Sequence, residues 1–85
     1  MEDIKPNILI VEDDVELAQW MLEYLLNKAF DVAVVHNGED AIVHIQDHNP
    51  DIVILDGMLP GIDGIDVCKV VRPKFTNTII MITAR

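Results

Sequence analysis

Basic residues are scarce in this chain: six Lys and Arg stand against fifteen Asp and Glu among 85 residues, a formal net charge of −9 at pH 7. Such a surface repels nucleic-acid phosphates, which argues against direct nucleic-acid contact by this segment, although an acidic chain can still control a basic partner or an attached domain. Cysteine is nearly absent. Cys68 stands alone, which rules out an intrachain disulfide and points to the reducing cytoplasm. No apolar run approaches membrane-spanning length, and Met1-Glu2-Asp3-Ile4-Lys5-Pro6 lacks the charged-then-apolar layout of a signal peptide. Low-complexity tracts and linkers are missing too.

What remains is an ordinary globular composition, 51% hydrophobic and 25% charged. A chain this short is at most one domain and buries only roughly 60 to 65% of its unfolded surface, so its core is thin.

Along the chain, apolar β-branched runs alternate with segments of helical period. Ile8 to Val11 is an uninterrupted run suited to a strand buried on both faces. Asp14 stands where an N-cap belongs, and from Val15 to about Lys28 the residues Leu17, Ala18, Met21, Leu22, Leu25 and Leu26 recur at helical spacing, predicting one wide buried stripe. Trp20 and Tyr24, four apart, are expected at its margin. Phe30 to Val35 is a second strand. Asn37-Gly38 could turn a hairpin, but the helical period from Ala41 to Ile45, with Asn37 three residues before Asp40, predicts a capped helix over 38–48 instead. Asn49-Pro50 stops it. Asp51 to Leu55 is the third strand, Gly64 to about Arg72 a third helix halted by Pro73, and Thr78 to Ile82 a fourth strand. The resulting βαβαβαβ order requires parallel strands and right-handed crossovers, hence an open α/β sheet.

Two of these strands run into acids. Val11 is followed by Glu12-Asp13-Asp14, and Leu55 by Asp56 and the turn-rich Gly57-Met58-Leu59-Pro60-Gly61-Ile62-Asp63-Gly64. If the strands are neighbours, four carboxylates converge at one sheet end. They repel one another unless a hard divalent cation such as Mg²⁺ joins them, and a fixed strand-end aspartate can serve as nucleophile or metal ligand. Asp14 has a second role open to it, capping the first helix, and its place just before the helical period favours the cap.

Taken together, Ile-Val-Glu-Asp-Asp after strand one, Pro50-Asp51-Ile-Val-Ile-Leu-Asp56, Met58-Leu59-Pro60-Gly61 with Asp63-Gly64, and Met81-Ile82-Thr83-Ala84 resemble the receiver domain of bacterial two-component response regulators. The wording of the third strand and its loop is most similar to the subfamily whose receivers carry a winged-helix DNA-binding domain. The resemblance implies a flavodoxin-like doubly wound parallel sheet of order 2-1-3-4. It further implies that Asp56 accepts a phosphoryl group from a sensor histidine kinase, and that Glu12, Asp13, Asp56 and the backbone carbonyl of Met58 hold Mg²⁺. Thr83 is implied as the switch hydroxyl. Residues 1–85 would then be a receiver domain lacking its last helix-strand-helix, including the family's phosphoryl-contacting lysine, and lacking the output domain. Neither Lys69 nor Lys74 matches that lysine. Strand four would become an apolar edge carrying Ile79, Ile80, Met81 and Ile82, an invitation to a homodimer or swapped oligomer.

Two other functions use the same acids. A Mg²⁺-dependent phosphohydrolase with an aspartate nucleophile usually wants a second acid two residues on, where this chain has Met58. A metal-binding interaction module would hold an ion without phosphotransfer. His44 and His48 have metal-ligand spacing, but lie off the Ala41, Ile42, Ile45 stripe and are expected on a solvated face. His36 ends a strand, and Cys68 is expected as a small core filler.

Overall fold

The computed structural model describes residues 4–82. Its elements run β1 (Asn7–Val11), α1 (Val15–Asn27), β2 (Asp31–Val35), α2 (Gly38–His48), β3 (Ile52–Asp56), α3 (Gly64–Val71) and β4 (Thr78–Ile82). All strand pairs are parallel, and the sheet order is β2-β1-β3-β4, so the flavodoxin-like arrangement is present. Both inner strands are apolar on both faces, as burial between two layers demands.

Each helix starts on the polar residue placed for it. Asp14, Asn37 and Asp63 are extended and accept the backbone N–H of Leu17, Asp40 and Asp66 at 3.1, 2.8 and 3.1 Å. Each thereby satisfies a donor that the first helical turn leaves without a partner. The left-handed Asn49 ends α2, and left-handed Ala29 follows α1. Phe30, read as the start of β2, belongs to that turn: its N–H and that of Ala29 donate to the carbonyls of Leu25 and Leu26.

The two sides of the sheet are filled unequally. On one side Leu9, Val11, Val53 and Leu55 meet Ala41 and Ile45 of α2, Val67 and Val71 of α3, and Phe75. Among the described residues the other side has only α1, which lies over β1 and β2. The single wide buried stripe expected of α1 is therefore corrected. Only Ala18 is buried, while Leu17 and Leu26 stay 44% and 50% exposed, because no second helix of the described residues flanks α1 on that side. Trp20 and Tyr24 are exposed, and with Met21, Leu25 and Ile54 they border an open groove of about 690 Å³. Along β4, Ile79 and Met81 turn to the filled side, whereas Ile80 and Ile82 face the open one.

Candidate functional site: an acidic cluster at the carboxyl end of the sheet

The site arises from strand register. Val11 and Leu55 are partners across β1 and β3, so Glu12 and Asp56 follow at the same level of the sheet. Oxygen atoms of Glu12, Asp13 and Asp56 all lie within 4.8 Å of one another. Asp56 is 6% exposed and Glu12 7%, while Asp13 faces solvent. Asp14, the last of the four acids expected there, instead caps α1.

Backbone donors fix both buried carboxylates. The N–H of Met58 donates to Asp56 Oδ1 at 3.0 Å, and the N–H of Asp14 donates to Glu12 Oε2 at 3.0 Å. Burial pushes the Glu12 carboxyl above its ordinary range; the Asp14 N–H opposes this, and the neighbouring Asp13 and Asp56 carboxyls reinforce it. A cluster in which two acids raise the cost of ionising a third is suited to a hard cation with oxygen ligands.

The loop after β3 is clamped in place. Leu59 is buried in the core, and Gly61 takes the left-handed φ of 72°. A Cβ on Gly38 would overlap the carbonyl oxygen of Ile62, so the start of α2 packs directly on this loop. Gly57 donates to Ile82 O at 2.9 Å and accepts from Gly64 N at 3.2 Å, tying the loop to β4 and to α3. Met58 stands at the mouth with its side chain half exposed. Thr83 lies outside the described residues.

His36 has a part here that sequence reasoning did not assign. Its Nδ1–H donates to the Glu12 carbonyl oxygen at 2.9 Å, and Glu12 N–H donates to Val35 O at 3.1 Å, so the end of β2 holds the turn that carries the acidic pair. The signal was available: in a 2-1-3-4 sheet, the residue ending strand two lies beside the residue ending strand one.

The family model for the response regulator receiver domain matches residues 8–85. This chain belongs to that family. As a receiver it is 41% identical, over all 85 residues, to the DNA-binding response regulator MtrA of Mycobacterium tuberculosis, and it spans 37% of that protein's length. Its fold matches the BeF3-activated N-terminal receiver domain of Klebsiella pneumoniae RstA with a TM-score of 0.87 and 37% identity, covering 93% of this chain and 68% of that one. The response regulator TrrA of Thermotoga maritima, in complex with Mg(2+)-BeF, matches with a TM-score of 0.88 and 34% identity, covering 96% and 71%. The receiver's acids thus sit where the open-sheet rule puts ligands, outside the carboxyl ends of the strands. The hydrolase reading is not favoured by these relationships.

Proposed function

We propose that Asp56 of this receiver accepts a phosphoryl group from a phosphohistidine of a sensor histidine kinase, with Mg²⁺ held by Glu12, Asp13, Asp56 and the Met58 carbonyl. The observation that carries the reading is the meeting of three carboxylates at one sheet end, two of them buried and both of those gripped by backbone N–H groups. The donors fit the ion: all are hard oxygens, and a set of protein oxygens at one open sheet end leaves positions of the Mg²⁺ octahedron for the waters that ion keeps. When bound, Mg²⁺ neutralises charge on the oxygens of the phosphoryl group in transfer. That the related TrrA was solved with Mg(2+)-BeF supports the assignment.

In this reading the Met58 N–H occupies Asp56 Oδ1, which leaves the second oxygen to attack phosphorus. The new O–P bond forms as the P–N bond of the phosphohistidine breaks, and the electron pair departs on the imidazole nitrogen. Little covalent work falls to the protein, and the contribution of these residues is position and charge. Thr83 is assigned the switch hydroxyl. The chain modifies only itself and turns over no separate substrate.

We read residues 1–85 as the phosphoacceptor part of a cytoplasmic regulator whose DNA-binding output lies elsewhere in the protein, as the MtrA relationship suggests. No helix among the described residues is long and apolar enough to cross a membrane. The edge strand β4, with Ile80 and Ile82 48% and 44% exposed, supports self-association of this 85-residue chain. A strictly monomeric mass by light scattering at high concentration would rule that association out.

Incubation with Mg²⁺ and a small acyl phosphate, read by intact mass, tests the central reading. One added phosphoryl group that is absent from Asp56→Asn is expected. Sustained hydrolysis of the acyl phosphate without a phosphorylated protein would point to the hydrolase instead, and Mg²⁺ binding without uptake to an interaction module.

A further inference from the structure

His44 and His48 were expected on a solvated face, and the structure corrects this for His44. It is half-buried, whereas His48 is exposed one turn on. Their rings lie with centroids 4.4 Å apart and planes tilted by 35°. Both border a cavity of about 220 Å³ beside the starts of β1 and β2, with Asn7, Asp31 and Pro50 in its wall. This is the amino end of the sheet, across the molecule from the acidic cluster.

We propose that His44 and His48 form a second metal site, taking a borderline divalent transition ion such as Zn²⁺ at the last turn of α2. Two independent features support it. First, an imidazole nitrogen binds Zn²⁺ at about 2.0 Å, which puts ring centres about 3.2 Å from the ion and two rings ligating it tetrahedrally roughly 5 Å apart; the observed pair, at 4.4 Å, reaches that spacing by a small side-chain adjustment. Second, the site is electrostatically receptive. It stands at the negative end of the α2 dipole, with the acidic residue Asp31 among those lining the same cavity. Two imidazoles do not suit Mg²⁺, which prefers oxygen ligands, so the two ends of the sheet select different ions.

The test is a Zn²⁺ titration of the untagged 85-residue chain in millimolar Mg²⁺, followed by calorimetry and by NMR of the imidazole C–H groups. His36 serves as internal reference. One equivalent of Zn²⁺ is expected to move the His44 and His48 signals together and leave those of His36 in place. Loss of one ligand should weaken binding by at least about tenfold, since even outer-shell changes at metal sites cost that much. The variant of choice is His48→Gln, because His48 is exposed and its replacement leaves the core untouched; His44→Gln is the second. Zn²⁺ affinity unchanged in His48→Gln, or imidazole signals of His44 and His48 that stay still while Zn²⁺ binds, would overturn the proposal. So would the absence of any Zn²⁺ uptake.

Discussion

Val11 of β1 and Leu55 of β3 face each other in parallel register, and this one pairing brings Glu12 and Asp56 out of the sheet side by side. A shift of either strand by one residue would turn its side chains to the opposite face and separate the two acids. The acidic site is thus a product of the same register that packs Leu9, Val53 and Leu55 against α2 and α3.

Crowding three carboxylates costs stability in the absence of a cation. Two unit charges about 4 Å apart repel by roughly 4 kcal/mol at an effective dielectric of 20, less after local relaxation. Asp56→Asn keeps an oxygen for the Met58 N–H and removes one charge. It is expected to raise metal-free stability by about 1 kcal/mol in urea denaturation and to abolish most of the rise in Tm expected for the parent chain on adding Mg²⁺. A variant no more stable than the parent would show that the cluster is not strained.

Gly64 is required by contact. A Cβ there would stand 2.6 Å from the Asp56 carbonyl oxygen, 2.9 Å from Gly57 Cα and 3.1 Å from Met81 Sδ. Two of those atoms are backbone and cannot step aside. Gly64→Ala is expected to cost about 2 kcal/mol, in the range for overpacked sites, and to slow phosphoryl uptake because the strain falls on the strand end that carries Asp56. Urea denaturation and intact-mass time courses read the two effects separately.

Ala29 follows α1 in the left-handed region, with φ at 68°. The N–H of Phe30 reaches Leu25 O and that of Ala29 reaches Leu26 O, a helix ending that normally uses glycine at this position. A left-handed alanine costs roughly 1 to 2 kcal/mol, partly offset by the extra freedom glycine has when unfolded. Ala29→Gly should therefore stabilise the chain by about 0.5 kcal/mol. A lower urea midpoint in the variant would contradict this account.

Burial pushes the Cys68 thiol up, a shift the nearby Arg72 charge only partly opposes. Because the folded value lies above the ordinary thiol value of 9.0, the stability linked to this group is complete below pH 9 and declines as pH rises through the folded value. Native protein should accordingly react with iodoacetamide at pH 8 to 9 more slowly than urea-unfolded protein. Equal rates, measured by mass, would mean that the thiol is neither shielded nor shifted.

Much of this molecule was readable from the chain alone, because the features concerned are local. The helix caps Asp14 and Asn37 act within three residues of themselves, and Asp63, which the structure adds as the cap of α3, does the same. The apolar runs of β1 and β3 declare strands covered on both faces, and the acids stand immediately after those runs. Choosing a helix over a hairpin at Asn37-Gly38 also needed only the apolar period that follows.

The remainder depended on which elements became neighbours. Helical spacing marks Leu17 and Leu26 as apolar-face residues, but their burial needs a second helix beside α1, and periodicity says nothing of what stands next door. His44 looked solvated on a helical wheel and is half-buried because β2, remote in sequence, closes the cavity next to it. His36 gained its bond to Glu12 in the same way, from the side-by-side placement of β1 and β2. Short-range chemistry chose the elements and the acids. Only the packed sheet decided which side chains met, since contacts between distant segments are set by register and layer and not by spacing along the chain.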